Sequence, residues 1–123
     1  MGKDLHYLVI KFFHERMEAH NKVLQYSELQ DEMDILYEIV RTGNLPTLTV
    51  HVSDAYRYTL NDYYSKPASL TAGDFILIAR PEAEYDEDIT YIAKREKIGI
   101  GKIGKLLGAL NLKGVWLYEE KNK

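Results

Sequence analysis

The sequence has no cysteine, three prolines and no apolar run that approaches the roughly 18 residues of a membrane span. Without cysteine the chain cannot form a disulfide framework, a thiolate zinc site or a cysteine nucleophile. Residues 1–8 carry Asp4 and His6 among their apolar side chains, and they lack the continuous apolar core of a signal peptide. We therefore expect an intracellular, cytoplasmic protein that makes no contact with a membrane.

Length and composition favour a single folded domain over residues 1–123. Of the 123 residues 46% are hydrophobic, which is normal for a globular protein and sufficient for a core. The net charge of −3 is small but unevenly distributed. Residues 82–88, the acidic connector, carry five acids and no base, and residues 94–113, the basic segment, carry six bases and one acid. The six bases are Lys94, Arg95, Lys97, Lys102, Lys105 and Lys113.

Hydrophobic spacing predicts two helices in an N-terminal part over residues 1–44. Residues 3–20 carry apolar side chains at helical spacing. Ser27 and Gln30 have the spacing of a capping box, which predicts a second helix over residues 27–40.

A sheet-containing part is predicted over residues 45–118, followed by a charged tail at 119–123. Strand patterns occur at 48–52, 74–79, 89–93 and 115–118, and a helical pattern occurs at 100–110. At 89–93 the start of a helix is the alternative to a strand. Residues 54–65 fit a helix or a strand, with a helix favoured for 60–65. The predicted fold class is α/β (α+β), with two N-terminal helices, a small mixed sheet and a C-terminal β-β-α-β unit.

Asp74 and the elements after it carry a resemblance to a nuclease family. Asp74 begins a predicted strand, and Lys94 ends the triplet Ile92-Ala93-Lys94 on the next one. Together with the predicted β-β-α-β order, this resembles the PD-(D/E)xK family, which includes Holliday-junction resolvases and restriction-like enzymes. The resemblance implies that Asp74 and Lys94 are catalytic and that Asp74 and Glu82 bind Mg²⁺ in a metal-dependent nuclease. Position 92 is not an acid, so the scaffold is expected to be catalytically degenerate, and no other cofactor is expected.

The basic segment indicates nucleic-acid binding without reference to catalysis. Its six bases can contact phosphates, and Gly99 and Gly101 precede a predicted helix N-terminus with free N–H groups. A helix-turn-helix in the same residues is an alternative arrangement. We expect DNA rather than RNA as the partner. The alternative function is a protein-interaction module or homo-oligomer, in which the acidic connector of one copy meets the basic segment of another at Gly104 and Gly108.

His51-Val52-Ser53 supplies only the first histidine of a His-hydrophobic-His metal motif. A nuclease with a tyrosine nucleophile would need both histidines. The clustered tyrosines Tyr56, Tyr58, Tyr63 and Tyr64 are therefore interpreted as packing residues.

Overall fold

A five-stranded mixed sheet forms the centre of the computed structural model, which describes residues 7–119. The helices are α1 (Tyr7–Ala19), α2 (Leu60–Tyr64), α3 (Glu87–Arg95) and α4 (Ile103–Ala109), and Val115–Leu117 forms a short 3-10 helix. The strands of the large sheet are β1 (Val23–Glu28), β2 (Ile35–Arg41), β3 (Leu48–Ser53), β5 (Phe75–Ile78) and β7 (Gly99–Gly101). A two-stranded sheet pairs β4 (Arg57–Tyr58) with β6 (Glu84–Tyr85).

The order across the large sheet is β1-β2-β3-β5-β7. β1, β2 and β3 form an antiparallel meander, whereas β3, β5 and β7 are parallel. The parallel strands therefore place their amino termini at one edge, called here the amino end, and their carboxyl termini at the opposite carboxyl end. Because α3 connects two parallel strands, it runs back from the carboxyl end to the amino end.

Alternating side chains of the central strands form two cores, one on each face of the sheet. Val50 and Val52 of β3 pack with α1 and α4 in the first core. Ile76 and Ile78 of β5 pack with α2 and α3 in the second core. His51 lies between Val50 and Val52, so it projects from the second face, beside α2.

The α+β class with a mixed sheet is confirmed, and α1 agrees with the helix predicted over residues 3–20, of which 3–6 lie outside the described residues. The second helix predicted over 27–40 is wrong, because the structure has the hairpin β1-β2 there. Asp31 Oδ1 accepts hydrogen bonds from the backbone N–H groups of Met33 (2.9 Å) and Asp34 (2.8 Å), which turns the chain. Residues 7–44 thus form one helix and a hairpin.

The C-terminal β-β-α-β unit is also corrected. The strand predicted at 89–93 is helix α3, and the strand predicted at 115–118 is the short 3-10 helix. The helix predicted from residue 100 begins at Ile103, because residues 99–101 form β7. Residues 54–65, for which the sequence fits a helix or a strand, contain both, β4 followed by α2. The helix favoured at 60–65 is confirmed.

Candidate functional site

The Asp74 carboxylate lies at the amino end of β5, where it joins the start of β3 to the turn that leads into β5. Asp74 is 7% exposed. Its Oδ1 accepts a hydrogen bond from the backbone N–H of Thr49 (2.8 Å), and its Oδ2 accepts one from the backbone N–H of Thr71 (2.8 Å). Both oxygens therefore serve the fold directly, by fixing the starts of two neighbouring parallel strands.

Glu82 and Lys94, the residues predicted to act with Asp74, are placed differently. Glu82 follows the carboxyl end of β5, so the length of this strand separates it from Asp74. Lys94 lies in the last turn of α3, and its Nζ donates to a carboxylate oxygen of Glu119 (3.1 Å). Among residues 7–119, no three His, Asp or Glu side chains form a group that could hold a metal ion. The structure does not bring Asp74 and Glu82 together, and the catalytic role of Asp74 and Lys94 stays a prediction.

The bases of the basic segment divide between the two ends of the sheet. Lys94 and Arg95 end α3 at the amino end, and Lys97 lies in the turn before β7 at the same end. Lys113 joins them because α4 runs back towards the amino end after β7. We call Lys94, Arg95, Lys97 and Lys113 the amino-end bases. Of these, Arg95, Lys97 and Lys113 are exposed, while Lys94 is half-buried.

Lys102 and Lys105 lie on the other side of β7, at the carboxyl end. Lys102 precedes the first turn of α4, and its Nζ donates to the backbone carbonyl of Pro81 (2.8 Å). Gly101 packs closely on Lys105, because a Cβ at position 101 would lie 2.6 Å from Lys105 Cδ. These two lysines are therefore turned onto the protein and away from the amino-end bases.

Lys97 has an unusual backbone. Its φ of 64° is the only positive φ of a non-glycine residue between residues 7 and 119. It occupies the position after the C-cap of α3, where the N–H of Ile98 reaches back to the carbonyl of Ala93 (2.9 Å). Glycine is the usual residue at this place, since an L side chain in the left-handed region is strained. A strained lysine on an exposed turn is an observation that points to a role for its side chain.

A groove beside Lys113 lies at the amino end and has a volume of about 350 Å³. Pro46, Gly73, Lys113 and Trp116 contribute to its lining. The Nζ of Lys97 lies 6.0 Å from the centroid of the Trp116 ring. The Trp116 ring thus has Lys113 beside it in the groove and the Lys97 ammonium group near its face.

A second, polar pocket of about 190 Å³ lies beneath α2, on the second face of the sheet. We call it the His51 pocket. Its lining includes His51, Ser53, Asp34, Asp54, Tyr58, Asp62 and Lys66. His51 Nε2 lies 3.3 Å from Asp34 Oδ1, and the two residues come together because β2 pairs with β3. His51 Nδ1 and Tyr58 Oη are buried and have no hydrogen-bond partner among the described residues.

The surroundings of the His51 pocket favour the neutral forms of the His51 imidazole and the Tyr58 hydroxyl. Burial lowers the pKa of His51 and outweighs the opposite effect of the nearby Asp34, Asp54 and Asp31 carboxylates. Burial also raises the pKa of Tyr58 far above its ordinary value, so its hydroxyl stays protonated. Since a carboxylate only accepts hydrogen bonds, Asp34 selects the His51 tautomer with its proton on Nε2, which leaves Nδ1 as an acceptor.

The sequence analysis missed the His51 pocket. It considered His51 only as one half of a metal motif, and it placed Asp34 inside a predicted helix. A correct prediction of the β1-β2 hairpin would have aligned Asp34 with the end of β3, since Ile35 pairs with Val52. The available signal was the Asp31 turn, which breaks the helical pattern.

Comparisons of the chain with protein-family models, with curated proteins and with solved structures found no match. Within residues 7–119, no helix combines the length and the apolar character that crossing a bilayer requires.

Proposed function

We propose that this protein binds nucleic acid through the amino-end bases and the Trp116 groove. The single observation that carries the proposal is that Lys97, which follows α3, and Lys113, which follows α4, both lie beside the Trp116 ring, with the exposed Arg95 two residues before Lys97. Among the described residues none of these three bases is held in an ion pair, in contrast to Lys94. The location implied by such a ligand is intracellular.

The chemistry of the surface suits a flexible strand better than a duplex read by its sequence. Phosphate oxygens accept hydrogen bonds from lysine and arginine with little dependence on sequence. The face of Trp116 can stack on an unpaired base, which contributes about 1–3 kcal/mol per base in comparable sites. DNA is the proposed partner ahead of RNA, and the nuclease-like scaffold contributes the platform. Metal-dependent cleavage is not part of the proposal, because the oxygens of Asp74 are engaged by backbone donors.

The test measures the anisotropy of short fluorescent single strands, of DNA and of RNA, at about 50 mM salt and upward. We expect saturable binding whose affinity falls as salt rises. Lys113→Gln and Arg95→Gln should each weaken binding and reduce the slope of log affinity against log salt by about 0.7, the value for one lost contact to a single strand. Trp116→Phe should weaken binding while retaining an aromatic side chain in the fold.

The matched control is Lys102→Gln, which makes the same charge change at the carboxyl end. This variant should bind as the unmodified protein does. Equal losses for Lys102→Gln and Lys113→Gln would show that only overall charge matters and would contradict an amino-end site. Failure to bind any single strand or duplex at low salt would overturn the proposal.

One observation favours a second candidate function, a homo-oligomer. The acidic connector lies at the carboxyl end and the amino-end bases at the opposite end, so copies could associate head to tail. Arg57 neutralises part of the connector, since it pairs with Glu84 (2.9 Å) and Asp86 (3.4 Å). Light scattering tests this candidate. A homo-oligomer requires a measured mass above that of the monomer, and this mass should fall as salt rises.

The glycines proposed for the contact between copies have different surroundings. A Cβ at Gly108 would lie 2.2 Å from the ring of Tyr118, so Gly108 permits packing within the chain. Gly104 is exposed and remains available to a second copy. A bulky residue at position 104 should therefore dissociate a homo-oligomer, and an unchanged mass would contradict that contact.

A further inference from the structure

The His51 pocket is lined by hydrogen-bond acceptors that the fold leaves unused. His51 is 7% exposed and Tyr58 is 2% exposed, yet His51 Nδ1 and Tyr58 Oη have no partner among the described residues. A buried polar group without a partner costs about 1–3 kcal/mol. Two such groups in one cavity indicate a site that a ligand with hydrogen-bond donors would complete.

The charge of the pocket selects the sign of the ligand. Three carboxylates, of Asp34, Asp54 and Asp62, line it against one ammonium group, that of Lys66. The Lys66 Nζ has other partners, since it lies 3.9 Å from the Tyr63 ring centroid and 3.9 Å from Glu96 Oε1. The surface left to a ligand is therefore negative and rich in acceptors.

From this arrangement we propose that the His51 pocket binds a small organic cation with N–H donors, a primary ammonium or guanidinium group. One donor reaches His51 Nδ1, a second reaches Tyr58 Oη, and the carboxylates balance the charge. The neutral state of His51 supports this assignment, because a protonated ring would offer a donor and repel the cation.

Size and access agree with such a ligand. A volume of about 190 Å³ accommodates a guanidinium or primary ammonium group. The Asp34 side chain is 30% exposed and the lining residue Ser65 is exposed, so the pocket opens to solvent on that side. The site lies at the carboxyl end, away from the amino-end bases, and does not depend on the proposed nucleic-acid function.

The experiment is an NMR titration that follows the His51 and Tyr58 ring signals as methylguanidinium or methylammonium chloride is added at constant ionic strength. We expect saturable shifts of both signals. Tetramethylammonium is the matched control, because it carries the same charge without an N–H donor, and it should cause no saturable shift. Saturable shifts with tetramethylammonium would overturn the proposed role of N–H donors.

Two variants separate the pocket from the rest of the fold. Tyr58→Phe keeps the buried ring and removes only the unpaired hydroxyl, and it should weaken binding about tenfold, as expected for a hydrogen bond to a charged group. Tyr37→Phe is the control, because the Tyr37 hydroxyl contacts His14 (2.6 Å) and lies outside the pocket. Equal affinity of Tyr58→Phe and Tyr37→Phe would remove Tyr58 from the site.

A further titration, with a peptide that contains an internal arginine, distinguishes a side chain of a partner protein from a free small molecule as the source of the cation. Binding of a peptide with an internal arginine assigns the pocket to a side chain of a partner protein. Binding of methylguanidinium or methylammonium with exclusion of the peptide assigns it to a free amine or guanidine. If neither cation shifts the signals of the folded protein, or if only Mn²⁺ broadens them in a saturable way, the proposal is wrong and the pocket holds water or a metal ion.

Discussion

Asp74 holds Thr49 by a hydrogen bond from the Thr49 backbone N–H to Asp74 Oδ1, across 25 residues of sequence. Thr49 lies in β3 and Asp74 immediately precedes β5, so the bond fixes the starts of two parallel strands relative to each other. The other carboxylate oxygen holds Thr71 and closes the turn that leads into β5. A residue that the sequence suggested as a metal ligand thus has a clear role in the fold.

Asp74→Ala should lower the free energy of unfolding by about 2–3 kcal/mol. The substitution removes three hydrogen bonds to a buried carboxylate, two from the backbone N–H groups of Thr49 and Thr71 and a longer one from the Thr71 hydroxyl (3.4 Å), and leaves both N–H groups without their acceptor. Urea unfolding measures the loss. Glu82→Ala is the control, because Glu82 is exposed and its removal should change stability by less than about 0.5 kcal/mol. An Asp74→Ala protein of unchanged stability that loses a Mg²⁺-dependent nuclease activity would instead favour the catalytic assignment.

Lys97→Gly and Lys97→Ala should separate stability from binding at one position. Both variants remove the Lys97 charge, so both should weaken nucleic-acid binding to a similar extent. Only glycine relieves the strain of φ 64°, and it should raise the free energy of unfolding by up to about 1 kcal/mol relative to alanine. Thermal unfolding together with the anisotropy titration gives both quantities. If the Lys97→Gly protein is no more stable than the Lys97→Ala protein, the backbone at position 97 is not strained. If both variants bind nucleic acid as well as the unmodified protein does, Lys97 is not part of the interface.

Arg41→Met should destabilise the protein by about 3 kcal/mol. Arg41 is 4% exposed, and its guanidinium donates to the carbonyls of Pro46 (2.8 Å), Leu110 (3.0 Å) and Leu112 (2.6 Å). Two of these carbonyls belong to the C-cap of α4 and to the turn after it, where the helix has no internal donors left. Urea unfolding of Arg41→Met is compared with that of Arg16→Met, an exposed arginine on α1 that should cost less than about 1 kcal/mol. Similar losses in the two proteins would contradict a stabilising contact at the end of α4.

The sequence predicted the parts of the fold in which local pattern and tertiary structure agree. Alternating residues in β3 and a short continuous apolar run in β5, bounded by turn residues, are patterns typical of strands. The helix prediction for residues 27–40 failed because the apolar residues of this segment also fit a helical stripe. The Asp31 turn, which depends on two backbone bonds to one side chain, decided the outcome.

The candidate sites depend on contacts between distant segments, which linear spacing does not encode. The six bases of the basic segment look continuous in the sequence, but β7 divides them because a strand carries the chain from one end of the sheet to the other. The His51 pocket needs strand pairing to bring Asp34 to His51. The strand predicted at 89–93 is wrong, and the spacing of Ile89 and Ala93, one helical turn apart and both buried in the second core, is the signal that favours the helix α3.

His51 should make the stability of the protein depend on pH. In the unfolded chain a histidine has a pKa of about 6.5, and in the folded protein burial lowers the pKa of His51 despite the nearby Asp34, Asp54 and Asp31 carboxylates. The unfolded state therefore binds more protons than the folded state just below pH 6.5. Because stability rises with pH wherever the unfolded state binds more protons, the free energy of unfolding should fall as pH drops through about 6.5.

Urea unfolding between about pH 7.5 and 5 measures this fall, and His51→Gln supplies the reference. His14 and His20 remain in both proteins, so the difference between the two pH profiles isolates His51. The variant should show a smaller loss of stability on acidification, and the difference should level off once the pH is below the folded pKa. If the unmodified protein gains stability relative to His51→Gln on acidification, then attraction to Asp34 outweighs burial, the ring is charged near neutral pH, and its Nδ1 is a donor. That result would also contradict a cation in the His51 pocket, because a charged ring there would repel it.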